Sequence, residues 1–125
     1  MQFLSDDWVA ALDAAAKTVE VEPDTSIVIE QTVRRDGPDV IWHSTVAEGS
    51  IRLTPGAAAG PDVRLSCDSA TASAISTGRL SAQRAFLDGR LHLDGDVRAL
   101  MEARPALDVL ADVFASVRAD TIELI

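Results

Sequence analysis

The chain has 125 residues, 47% of them hydrophobic, and eleven basic against twenty acidic side chains leave a formal charge of −9. That length suits one domain, 1–125, whose core needs no disulfides, and the acidity opposes the counterion release on which nucleic-acid binding depends, so no nucleic-acid partner is expected. With Cys67 as its single cysteine, no leader pattern at MQFLSDDW and no run of eighteen apolar residues, the sequence predicts a reduced, cytoplasmic protein without stable membrane insertion.

Ser5 before Asp6 and Asp7 reads as a helix start, with a hydroxyl cap and acidic residues at the positive end of the helix dipole. Trp8, Leu12, Ala15 and Val19 then recur at helical spacing and predict a helix that lays its Trp8 face on a sheet. Val21–Asp24 breaks the pattern. Ile27, Ile29 and Val33 next point one way and Glu30, Thr32 and Arg34 the other, a first strand. After the turn formers of Arg35–Asp39, Val40–Val46 predicts a second strand that carries Trp42 on the face of Val40 and Val46. A turn at Ala47–Ser50 leads to a third strand at Ile51–Leu53, and short connections imply an antiparallel meander.

Pro55–Pro61 is small and glycine-rich and reads as an exposed loop. Asp62–Cys67 alternates Val63, Leu65 and Cys67 against Arg64 and Ser66, a fourth strand. Asp68 caps a helix over Ser69–Thr77 that Gly78 ends, and Ser81 caps Ala82–Asp88, which Gly89 ends. Arg90–Asp94 has period two, with Leu91 and Leu93 on one face and Arg90, His92 and Asp94 on the other. The helical pieces between the fourth and fifth strands predict a right-handed crossover into the same sheet.

Asp96 caps Val97–Ala103, and Arg104-Pro105 restarts a helix to about Ala119. Its stripe of Leu107, Leu110, Phe114 and Val117, widened by Val109 and Val113, exceeds what a helix resting on a sheet needs. Core packing, a cavity wall and a dimer contact each account for that width.

Catalytic chemistry has no foothold in the pattern. His43 and His92 lie in no catalytic motif, Cys67 falls on an apolar strand face, and there is no GxSxG, phosphate loop or four-ligand metal spacing. No enzyme activity, cofactor or metal is expected, and both histidines read as solvated surface residues.

The order Gly78-Arg79-Leu80, Ala85-Phe86, Gly89-Arg90-Leu91 and Gly95-Asp96, continued by Leu100-Met101 and preceded by Trp42 and Asp62–Leu65, resembles the sterol carrier protein 2 (SCP2) lipid-binding domains, in a stand-alone bacterial form. The resemblance implies an α+β fold: a five-stranded, mainly antiparallel sheet covered by helices, with an apolar tunnel between the layers. It implies non-enzymatic binding or carriage of a fatty acyl chain, an acyl-CoA or a sterol-like molecule. Trp42, Phe86, Leu87, Leu100, Met101, Leu110, Phe114 and Val117 are then the expected ligand contacts, although Trp42 reads equally as core. Arg79 and Arg84 read either as a solvated face or as a weak collar for a head group. The mouth is expected between the Ala82–Asp88 helix and the last helix. The sequence departs from the animal carriers in having Lys17 as its only lysine, which argues against transfer by collision with anionic membranes. The competing reading is a dimerisation or subunit-docking module, a homodimer included, whose alanine-rich helices fill the cavity.

Overall fold

The period-two segments form one five-stranded sheet in the computed structural model, which describes residues 3–117, the side chains at 107, 110–112 and 114–116 excepted. β1 (Ile27–Arg34), β2 (Val40–Ala47) and β3 (Ser50–Pro55) make the expected antiparallel meander. β4 (Val63–Asp68) pairs antiparallel with the short β5 (His92–Gly95) and parallel with β1, giving the order β3-β2-β1-β4-β5. The sheet is therefore mixed, with one parallel pair.

The crossover lies elsewhere than the sequence predicts. β4 and β5 are antiparallel neighbours, so the helical segment between them simply returns the chain to the adjacent edge. The connection that crosses the sheet is residues 56–62, from β3 past β2 and β1 to β4. It does so on the polar face, held by its own backbone: the Gly56 N–H donates to Ile41 O (2.8 Å), the Ala58 N–H to Glu30 Oε1 (3.0 Å) and the Asp62 N–H to Val28 O (2.9 Å). The Val28 N–H donates in return to Asp62 Oδ2 at 2.8 Å. Glu30 is consequently buried rather than solvated, and its other oxygen takes Arg64 Nε at 3.2 Å. His43 is half-buried for the same reason, its Nδ1 2.9 Å from Gly56 O. The loop is mostly exposed, as expected, and these bonds anchor it across the sheet as a strap.

The helices start where their caps predict. The Ser5 hydroxyl accepts from the Trp8 N–H at the head of α1 (Asp6–Ala16), and Asp68 does the same for Thr71 N–H of α2 (Ser69–Ser76). Ser81 and Asp96 cap α3 (Ala82–Leu87) and α4 (Val97–Glu102). α5 (Arg104–Val117) follows directly; its expected end at Ala119 lies outside the described residues. α1 buries Trp8, Val9, Leu12 and Ala16 and packs on β3, while the main partners of α5 among the described residues are α1 and α4.

Two local constraints tie the layers. Asp13 of α1 accepts the Leu53 N–H of the edge strand (2.9 Å) and Arg52 Nε (3.1 Å). Gly95, in register with Val63, has φ of +113°, and a Cβ there would run into the Asp62 carbonyl. Asp96 N–H bonds that same carbonyl at 2.9 Å, so strand end and helix cap meet where no side chain fits.

Gly95→Ala is accordingly expected to destabilise the fold by about 2 kcal/mol or more, whereas Gly37→Ala, at φ +94° with open space around it, should cost clearly less. Thermal unfolding of both variants checks this; equal losses would remove the close-approach argument. Burial raises the Asp13 pKa, but the Leu53 N–H and Arg52 outweigh it and hold the carboxylate below its usual range. A lowered folded-state pKa contributes stability that is complete above the unfolded value and lost as pH falls through the folded one. Asp13→Ala should cost about 1–3 kcal/mol at pH 7, chiefly through the orphaned Leu53 N–H because Arg52 is exposed. In denaturant titrations that gap should narrow below about pH 4; a gap independent of pH contradicts the assignment.

Candidate functional site

Strand register sets the helix-facing side chains in rows. One row runs Pro55, Trp42, Gln31, Leu65, Leu93, and the next Leu53, Ser44, Ile29, Val63, Gly95. No charged residue stands in either row. The rows are apolar apart from Gln31, Ser44 and the Trp42 indole N–H.

Their covering is uneven. On the β3 side Ile51, Leu53, Val46, Ile27 and Ile29 are all at most 3% exposed, and α1 packs over β3. Across the sheet, Leu65 and Leu93, with Leu91 just before β5, are only half-buried, and Leu100 of α4 and Val109 of α5 are half-buried too. Near them in the chain α3 and α4 hold out Phe86 (51% exposed), Leu87 (69%), Val97 (51%) and Met101 (71%). Single exposed apolar residues are ordinary, but four large ones on two short consecutive helices are not. The candidate site is this half-covered strip between β4–β5 and α4–α5.

The residues singled out in the sequence fall in three places. Leu100 lies in the strip, while Phe86, Leu87 and Met101 project from the helices beside it. Trp42 is buried on the closed side, where Trp8 meets it edge to face at 5.2 Å and Phe3 meets Trp8 at 4.9 Å. Val117 is buried. The side chains of Leu110 and Phe114 lie outside the described residues. Among those described, the buried stripe of α5 runs through Ala106, Val113 and Val117, with Val109 at its half-buried edge.

Neither arginine is unattached. Arg79 folds onto the end of α2, its Nε donating to Thr77 Oγ1 (2.9 Å) and its Nη2 to Ser73 Oγ (3.3 Å). Arg84 pairs with Asp88 one turn on at 3.4 Å, with both side chains well exposed. An ion pair of that kind is worth about 0.2–1 kcal/mol and is readily given up.

Leu65, Leu91, Leu93, Val109 and Gln31 were not recognised as site residues from sequence. Alternation does place Leu65, Leu91 and Leu93 on the inner face, but only the position of the helices reveals that this end is uncovered. Gln31 is a polar residue at an inward position of β1, and that break in the alternation was the available signal.

Nucleophilic chemistry finds no support at Cys67. Burial, with Asp68 adding to it, pushes the thiol up to about 11, so it stays protonated at neutral pH. Asp68 itself is held below the usual carboxylate range by the Thr71 hydroxyl and N–H. Among the described residues no group of three His, Cys, Asp or Glu side chains is placed to hold a metal.

Among the described residues, Trp42 Nε1 and Ser44 Oγ are buried without a hydrogen-bond partner. Thr71 Oγ1 also lacks a well-aligned bond, but it sits beside the Asp68 carboxylate and is served electrostatically. Trp42 and Ser44 stand two residues apart on the same face of β2, with no such neighbour.

The SCP-2 sterol transfer family matches residues 10–108 of the chain. Among solved structures, a sterol carrier protein 2 has 21% identity and a TM-score of 0.72, covering 90% of this chain and 97% of that one. A conserved hypothetical protein of Thermus thermophilus has 22% identity and a TM-score of 0.65 over 94% of this chain and 90% of its own. The palmitated SCP2L2 of Aedes aegypti has 19% identity and a TM-score of 0.62 over 88% and 94%. Likeness at these identities is likeness of fold, an α+β mixed sheet with helices. No curated protein matches the chain by sequence.

A buried hydroxyl without a partner costs stability, and removing it relieves that cost. Ser44→Ala in the lipid-free protein is therefore expected to leave the melting temperature unchanged or raised. A fall of several degrees would mean that the hydroxyl is satisfied and Ser44 is ordinary core.

Proposed function

Because the chain belongs to the SCP-2 sterol transfer family, we propose that it binds one apolar lipid, without a covalent step, in the half-covered strip between β4–β5 and α4–α5. Lipid binding or transfer is the general role that membership supports. The ligand in this reading is a fatty acyl chain, an acyl-CoA or a sterol-like molecule, carried by a cytoplasmic protein. One observation carries the placement: the inner face is buried on the β3 side, yet Leu65, Leu91, Leu93, Leu100 and Val109 remain half-buried at the other end.

The energetics favour loose selectivity. Each methylene withdrawn from water contributes about 0.8 kcal/mol, as much as an exposed ion pair at its best. A chain of moderate length then outweighs its head group. Phe86, Leu87 and Met101, exposed on α3 and α4, supply apolar surface that can fold over a bound chain, with Leu110, Phe114 and Val117 of α5 as its other wall and Trp42 at depth. Arg84 exchanges Asp88 for a ligand carboxylate at little cost, and Arg79 is the second, more firmly held cation. The Aedes aegypti relative is described as palmitated, which is consistent with an acyl ligand here.

Displacement of a fluorescent fatty acid by palmitate from delipidated protein tests the reading. Leu65→Asp and Leu93→Asp should weaken binding about tenfold or more, while Ile41→Asp, an exposed position on the opposite face, should leave it unchanged. If the unsubstituted protein gives no saturable binding to acyl chains or sterols, the proposal fails and the exposed apolar residues of α3 and α4 belong instead to a dimer or subunit-docking face.

A further inference from the structure

Two buried polar groups without partners stand at the inner end of the proposed site. Trp42 is 3% exposed and Ser44 1% exposed, and among the described residues neither Nε1 nor Oγ finds a hydrogen bond. Folded proteins satisfy nearly all such groups, and a group left open marks either an ordered water or a ligand.

The register joins these atoms to the open strip. Leu93, Leu65, Gln31 and Trp42 lie side by side across β5, β4, β1 and β2. A molecule entering over the half-buried Leu93 and Leu65 would next meet the half-buried Gln31 and then the Trp42 indole, with Ser44 beside it. Three strand spacings separate Leu93 from Trp42, roughly 14 Å at about 4.8 Å each. Nothing but apolar side chains precedes Gln31 along that row.

We propose that Trp42 Nε1 and Ser44 Oγ form a deep hydrogen-bonding station for a neutral oxygen, so that the preferred ligand is a lipid carrying a hydroxyl or carbonyl at the end that enters first. The inference rests on lipid binding at the strip and names the ligand class for it. Donor chemistry sets the class. An indole N–H only donates, so its partner must be an acceptor, and a hydroxyl on Ser44 can donate or accept in turn. No cation stands on the inner rows, so a carboxylate would be buried there uncompensated and is disfavoured. A hydroxyl accepts from Trp42 and exchanges with Ser44 without bringing charge. The carboxylate of a bifunctional ligand stays outside, at the mouth.

A chain-length series of saturated fatty acids from ten to sixteen carbons, each paired with its ω-hydroxy acid, tests this on the delipidated protein by calorimetry. In a purely apolar site a terminal hydroxyl weakens binding at every length, commonly by more than tenfold. Here the penalty should vanish or reverse at the length that reaches the station. It should return in Ser44→Ala and in Trp42→Phe, so that in each variant the ω-hydroxy acid loses more affinity than the plain acid of the same length. Ser44→Ala removes one atom from a buried site, so it keeps the test valid if Trp42→Phe fails to fold. An ω-hydroxyl that weakens binding equally at all lengths, unaffected by Ser44→Ala, overturns the station while leaving lipid binding intact, and assigns the two atoms to buried water. If neither series binds, lipid binding itself is wrong and the station falls with it.

Discussion

The edge-to-face contact of Trp8 with Trp42, together with the Asp13 bonds to β3, fixes α1 over one half of the sheet. Everything else on that side follows from this placement. A helix about 10 Å across cannot cover five strands, so β4 is left to α2 and α4, and among the described residues α5 takes its main packing from other helices. Cover is therefore incomplete at Leu65, Leu91 and Leu93, although Val63 of the same strand pair is fully buried.

The helices that border the open half are also the least self-sufficient. α3 and α4 are six residues each, below the length at which a helix holds itself together, so they depend on packing that the strip only partly supplies. Such segments open locally at low cost. β4, by contrast, is laddered to neighbours on both sides. A rigid floor and a loosely packed roof suit a ligand that must enter whole and be held by apolar contact. The acidic chain, with a single lysine, offers little for electrostatic capture by anionic surfaces, which leaves apolar burial as the term that decides affinity.

Much of this was legible in the sequence because it is local. Period-two alternation marks every strand, and Ser5, Asp68, Ser81 and Asp96 each accept the hydrogen bond that their position before a helix predicts. The Gly95-Asp96 pair reflects a close approach that excludes any Cβ. What escaped is long-range. The parallel β1–β4 pair depends on which edges meet, and Gly56–Gly60 docks on Glu30 through backbone groups that leave no side-chain signature. At the site, Leu100 and the exposed Phe86, Leu87 and Met101 were visible as apolar residues on short helices. The other half of the strip was not, since Leu65, Leu91 and Leu93 read as core on any inward strand face. Only the packing of the helices separates covered from uncovered.

The central claim is that lipid enters the core over its thinly covered end, at Leu65 and Leu93. Methyl-selective NMR of the delipidated protein titrated with palmitate measures this residue by residue. The methyls of Leu65, Leu91, Leu93, Leu100 and Val109 should shift and saturate together, while those of Ile27 and Ile51 stay in place. Shifts confined to the α1 half, or no saturating shift in any methyl, would contradict the account.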